Sequence, residues 1–179
     1  MSLFLATLLP GLALMGLGAV LILGGSAAAA ALRAFPRSTR AAYVLFGGAT
    51  VWFLDHVWHL SSADFGEYRV LLFIGFALVA VLAFRCVPDF LSVRGLCALV
   101  LLAASPLLDA AYMSYDRPQR LFMVGLVYAG LTLAIWVGAQ PWRLRDFLGW
   151  LFARPGRARL AGGALLAYGL LLAAVSFTY

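Results

Sequence analysis

The sequence predicts an all-α integral membrane protein: a bundle of six transmembrane helices, with a short cytoplasmic interfacial helix between the fifth and sixth spans. Three observations carry that expectation. Of 179 residues, 65% are hydrophobic and only 11% charged, whereas soluble domains run at about 45–50% apolar and about 25% charged. The apolar residues fall in runs of about 20, the length that crosses a hydrocarbon core of roughly 30 Å. Short polar clusters separate these runs and leave no length for an extramembrane domain, so residues 1–179 are expected to form one integral membrane domain.

The first span is expected at 3–25. Met1-Ser2-Leu3-Phe4-Leu5 carries no basic residue, and no A-x-A pattern closes the apolar run, so it reads as a retained span and not a cleaved signal. The Ala27–Leu32 run can carry the helix a turn or two further. Pro10 and Gly11 are tolerable where neighbouring helices cover the backbone. Gly16, Gly18, Gly24 and Gly25 are expected to form a helix–helix contact face, because small residues let backbones approach closely.

Spans two to five are expected at 41–60, 68–84, 95–113 and 121–139, and span six at 160–177. Between the last two, Trp142–Ala153 mixes Arg143, Arg145 and Asp146 with Phe147, Trp150, Leu151 and Phe152, the composition of a helix lying at headgroup depth. Trp58 is expected to mark the outer interface and Trp142 and Trp150 the inner one, with Trp52 and Trp136 packed more deeply between helices.

All thirteen basic residues are arginine. Ten lie after spans one, three and five: Arg33, Arg37, Arg40, Arg85, Arg94, Arg143, Arg145, Arg154, Arg157 and Arg159. Arg69, Arg117 and Arg120 lie on the other side. The positive-inside rule then predicts a multi-pass protein of the cell inner membrane, with arginine-rich loops cytoplasmic and both termini periplasmic. The net charge of +6 belongs to these loops and not to one basic face, so no nucleic-acid partner is expected. Cys86 and Cys97 sit on the arginine-rich side, where a disulfide is not expected.

The segment Trp52-Phe53-Leu54-Asp55-His56-Val57-Trp58-His59 places ionisable groups in a stretch otherwise fit for lipid. A charge at the centre of a transmembrane helix costs roughly 2.5–3.5 kcal/mol on insertion scales, so such groups usually face a partner or water. Leu54-Asp55-x-x-Trp58 recurs as Leu108-Asp109-x-x-Tyr112 at an offset of 54 residues, which raises an internal duplication of two spans, parallel about an axis along the membrane normal. Each aspartate lies about five residues before its span ends, so the two carboxylates are expected at one depth, roughly 7 Å below the outer rim.

Asp55, His56, His59 and Asp109 form the functional polar cluster, with Trp58, Arg69, Tyr112 and Arg120 in support. Three readings compete. As a metal site the four would offer imidazole and carboxylate ligands suited to zinc, yet no Cys lies at that depth and no H-E-x-x-H spacing occurs. As a proton or cation path, the acids would change charge and the histidines relay, but only Thr50, Ser105 and Tyr128 continue it inward. As structure, the groups would bond to one another and to rim residues, with Asp55–Arg120 and Asp109–Arg69 the expected ion pairs.

No cofactor is predicted. Two histidines one turn apart on one helix cannot take opposite axial positions on one haem, and Ser61, Ser62 and Ser105 lie in no nucleophile elbow. Gly47-Gly48 lies in a lipid-compatible run and not in a phosphate loop. The functional expectation is a non-catalytic subunit or packing partner in a larger membrane assembly, with other membrane subunits or further copies of itself as partners besides the bilayer. The alternatives are a small proton- or cation-translocating transporter using the outward carboxylates, and an outer-leaflet metal-dependent enzyme.

Overall fold

The computed structural model describes residues 1–179, with Ser62 and Pro155 described by their backbone alone. Among the described residues there is no strand, and eight α-helices follow in order: α1 (Leu3–Leu23), α2 (Gly25–Ala34), α3 (Thr39–Trp58), α4 (Arg69–Cys86), α5 (Leu91–Ala111), α6 (Arg120–Ala139), α7 (Trp142–Leu151) and α8 (Pro155–Ser176). Five helices are long and apolar enough to cross a membrane by length and composition: α1, α4 with its preceding turn, α5, α6 and α8. The 20-residue α3 is not among them, since Thr39 and Arg40 open it and Asp55 and His56 occupy its last turn.

Local chemistry sets several helix starts. Ser2 accepts from the Leu5 amide at 3.4 Å to cap α1, and Ser38 accepts from Ala41 at 3.2 Å to cap α3, each satisfying an amide the first turn leaves without a partner. Gly24-Gly25 breaks the first apolar stretch in two, with Gly25 at φ +57°, a left-handed conformation that costs glycine little. The continuation through Ala27–Leu32 is therefore a separate helix, α2. At the other connections Phe65, Phe90 and Met113 take positive φ without being glycine.

The helix bounds differ from expectation where turns decide them. α5 begins at Leu91, a turn before Gly95, because its amides at Val93 and Arg94 already bond back to the Phe90 carbonyl. α8 begins at Pro155, ahead of the expected Leu160, and so absorbs Arg157 and Arg159.

α1 and α8 run antiparallel along a glycine seam. A Cβ on Gly18 would stand 2.7 Å from the Gly162 carbonyl oxygen, and one on Gly169 would stand 2.7 Å from that of Gly11. Real Cβ atoms do not approach so closely, so Gly11 and Gly18 of α1 interlock with Gly162 and Gly169 of α8, seven residues apart in both. The expected glycine face is thus corrected. Gly18 belongs to the seam, Gly16 and Gly25 have nothing within 4 Å of a built Cβ, and Gly24 would meet only Val20 and Ala28 of its own stretch.

Against that pair pack α5 and α6, around a core of Ala6, Ala104, Ala111, Met123, Val127 and Leu172. α3 lies parallel to α5, with Gly95 seated on the backbone of Leu45–Phe46. α4 returns antiparallel to α3 along an aromatic ladder: Tyr43 and Phe46 on Phe84, Phe53 on Phe76, and Trp58 on Phe73, with ring centroids 4.9–5.5 Å apart. No residue of α4 is buried.

The arginine-rich connections gather at one end. Arg33 donates to the Phe152 carbonyl at 2.8 Å, Ser92 donates to the carbonyls of Phe35 (2.8 Å) and Pro36 (3.0 Å), and Arg37 lies over the Phe90 ring. α7 tucks Leu148 and Leu151 beneath α1 and α8 and leaves Arg143, Arg145, Phe147 and Trp150 exposed. At the opposite end the Thr7 hydroxyl donates to Tyr179 at 3.4 Å and Arg117 lies over the same ring. Trp136, expected between helices, is half exposed with the Arg143 guanidinium 4.6 Å above it.

Candidate functional site

The polar cluster occupies the end of the bundle away from the arginine-rich connections. Asp55 and His59 are side by side on α3, His59 Nδ1 3.5 Å from Asp55 Oδ1, and their side chains are 64% and 71% exposed respectively. His59 Nδ1 lies closer still, 2.8 Å, to the Asp55 carbonyl, and His56 Nδ1 lies 3.0 Å from the Trp52 carbonyl. A carbonyl oxygen only accepts, so these geometries place a proton on Nδ1 of both rings.

Asp109 is held by its own helix, accepting from the Ser105 hydroxyl at 3.4 Å. The contact register of α3 on α5, Gly95 on Leu45–Phe46, is an offset of 49 to 50 residues, not the 54 of the sequence echo. Carried outward at 1.5 Å per residue within α3, it sets Asp55 level with Ala104 and Ser105, about one helical turn short of Asp109. The two carboxylates therefore do not share a depth.

They do not share a face either. Asp55 follows Val44, Gly48 and Val51 at spacings of four, three and four along the exposed side of α3, whereas Asp109 follows Leu102 by seven residues on the side of α5 turned towards α3 and α4. Neither carboxylate points into a sealed polar interior; both residues are exposed.

The expected ion pairs are replaced by other contacts. Among the described residues, Asp55 and Asp109 pair with neither Arg120 nor Arg69. Arg120 turns back to the Ala111 carbonyl at the end of α5, its guanidinium 4.8 Å above the Tyr115 ring, and Arg69 lies over Trp58 at 5.6 Å. A guanidinium over an aromatic face is attracted by the ring quadrupole. Tyr112, just past α5, is exposed.

The arrangement brings Asp55, His56 and His59 to one helix end and leaves Asp109 apart. Among the described residues no group of three or more His, Cys, Asp and Glu side chains converges on a position for a metal ion. The inward polar residues do not form a chain: Thr50 donates to the Phe46 carbonyl at 2.8 Å, Ser105 serves Asp109, and Tyr128 is exposed on α6. Ser61 donates to Asp64 at 2.9 Å, and the Ser62 side chain lies outside the described residues. Cys86 is exposed and Cys97 buried, and they are not bonded to each other.

Two features escaped the sequence reading. The heptad pairs Gly11/Gly18 and Gly162/Gly169 were legible as two equal spacings at opposite ends of the chain. The second is an apolar cleft of about 420 Å³ over α3 and between α4 and α5, whose lining is almost wholly hydrocarbon. No protein-family model matches this chain, and no curated protein and no solved structure matches it either.

Proposed function

We propose that this chain is a non-catalytic, multi-pass subunit of the cell inner membrane that packs within a larger membrane assembly. In this reading α1, α3, α4, α5, α6 and α8 are six spans and α7 lies at the cytoplasmic interface. At 1.5 Å per residue the 20 residues of α3 reach about 30 Å, enough to span. Ten arginines against three favour a cytoplasmic arginine-rich end and periplasmic termini.

The observation that carries the subunit reading is the outer face of α4. Val70, Leu71, Ile74, Leu78 and Val81 are all more than half exposed there, and a Cβ on Gly75 would meet nothing within 4 Å. Glycine inside a helix costs about 1 kcal/mol relative to alanine. At Gly11, Gly18, Gly162 and Gly169 that cost is offset by close contact; at Gly75, as at Gly16, Gly47, Gly48, Gly125 and Gly163, no contact within the chain offsets it. A small residue on a membrane helix face is suited to the approach of another helix. Ion translocation has less support, because both carboxylates open outward and no polar chain leads inward.

The test is purification from the source membrane in mild detergent, with size and stoichiometry measured. The expected result is a complex of fixed stoichiometry, homomeric or with other membrane polypeptides, that is lost in Gly75→Leu while the chain itself stays folded. A wild-type chain that runs as a lone monomer would overturn the subunit reading, and a reporter fused to Tyr179 that is active only in the cytoplasm would overturn the topology.

A further inference from the structure

The cleft between α4 and α5 is apolar, and polar groups follow its walls outward. Its walls include Phe46, Ala49 and Phe53 of α3, Phe76 of α4, and Ala98 and Leu102 of α5. Seven residues is close to two full turns, so the residue seven positions further outward lies on the same helix face. On α3, Ala49 leads to His56; on α5, Ala98 leads to Ser105 and Leu102 to Asp109; on α4, which runs the other way, Phe76 leads to Arg69. Four hydrocarbon wall positions are thus each succeeded, one heptad outward, by a polar or charged group.

The outermost two, Arg69 and Asp109, lie near the outer ends of their helices, about one turn beyond His56 and Ser105. Arg69 lies over Trp58 at the end of α3, and Asp109 lies in the last turn of α5. Arg69 has no carboxylate partner among the described residues, and Asp109 bonds only to Ser105. An exposed cation and an exposed anion therefore stand about 10 Å outward of the walls of an apolar slot, on the same helix faces.

Apolar walls with a cation and an anion further outward suit an amphiphile with a charged headgroup. The wall from Phe46 to Phe53 is about 10 Å long at 1.5 Å per residue, and the slot of about 420 Å³ is open along one side. Walls of this composition suit hydrocarbon chain. The slot opens sideways because α4 leans on α3 and does not pack closely on α5, so an acyl chain can enter from within a leaflet.

We propose that this slot binds one membrane phospholipid of the outer leaflet, with an acyl chain in the slot, its phosphate at Arg69 and a headgroup amine at Asp109. The inference rests on the membrane reading above. It concerns the inner side of α4, where Phe76, Val79 and Ala80 lie, and not the outer side that carries Gly75.

The experiment is native mass spectrometry of the purified chain released from nanodiscs containing equal phosphatidylethanolamine and phosphatidylglycerol, with alkaline carbonate extraction of the source membranes alongside. One phosphatidylethanolamine per chain is expected. Ala80→Trp fills the slot from a helix with no buried residue, so it should fold and lose bound lipid at least tenfold, while Ala164→Trp on the exposed side of α8 should keep it. Arg69→Gln should lower retention severalfold, and Asp109→Asn should abolish the preference for the amine headgroup. Wild-type protein without lipid, Ala80→Trp with as much lipid as wild type, or a lipid-free dimer with the slot closed by a second copy would each overturn the proposal. Carbonate-resistant protein that retains no lipid defeats the slot alone; protein released by carbonate defeats the membrane reading itself.

Discussion

The two antiparallel helix pairs at opposite sides of the molecule are built on different principles. α1 and α8 meet through glycines so close that a methyl group would strike a carbonyl, and each has a further side against α5 or α6. α3 and α4 meet through a ladder of aromatic rings that holds them apart, and α4 has no other substantial neighbour. Both pairs are apolar, yet one is committed on several sides and the other is committed on one. The glycine seam fixes the architecture, and the aromatic pair leaves a slot on one side of α4 and a bare face on the other.

The comparison breaks most readily at the seam. Gly18→Leu should destabilise the chain by about 3 kcal/mol or more, because the new side chain meets the backbone of Gly162 and Leu166 and neither can yield by a rotamer change. Thermal unfolding in detergent, followed by tryptophan fluorescence, measures it. A variant that melts within about 2 °C of wild type would mean the two helices separate without cost.

Ser92→Ala probes the arginine-rich end. Ser92 is 1% exposed, and its hydroxyl lies within reach of the carbonyls of Phe35 and Pro36. Removing it leaves the Pro36 carbonyl poorly satisfied, while the Phe35 carbonyl keeps the Ser38 amide, at a cost of about 1–2 kcal/mol. The same melting measurement reads the loss. An unchanged midpoint would show that the turn between α2 and α3 is held by packing alone.

Phe84→Ala sharpens the contrast at the other pair. Phe84 receives both Tyr43, stacked at 4.9 Å, and Phe46, edge-on at 5.4 Å, and such pairs contribute about 0.5–1.5 kcal/mol beyond the area they bury. The expected effect is local: hydrogen exchange rises along α4 and stays at its wild-type level along α1 and α8. Uniform destabilisation of every helix would show that α4 is tied into the core after all.

Much of this division was legible in the residues and some was not. Hydrophobic runs and arginine clusters located the long helices and the short α7, because burial in lipid or protein demands apolar length whichever neighbour supplies it. The break at Gly24-Gly25 was hidden, since the same glycines suit a contact face and a left-handed turn. The polar cluster was legible as residue types and not as a site. The echo of Leu-Asp-x-x-aromatic suggested equal depth, but register is set by where Gly95 lets α5 approach α3, a packing fact absent from either segment alone. The ion pairs failed for a related reason: aromatic faces and a bare helix-end carbonyl compete for the arginines, and Trp58 holds Arg69 while Tyr115 and Ala111 hold Arg120.

The smallest effect belongs to the residues that look most functional. Asp55 and His59 are exposed, paired one turn apart on one helix, and His59 spends its Nδ1 proton on the Asp55 carbonyl. An exposed i,i+4 pair contributes little once both side chains must be ordered and salt screens them. Asp55→Asn and His59→Ala should each move the melting midpoint by less than about 2 °C. The two substitutions together should shift it by no more than the sum, because the carbonyl bond is local to one turn and recruits no second helix. A larger, salt-sensitive shift confined to the assembled complex and absent from the isolated chain would relocate this pair to an interface, with a partner's charge completing what α3 leaves open.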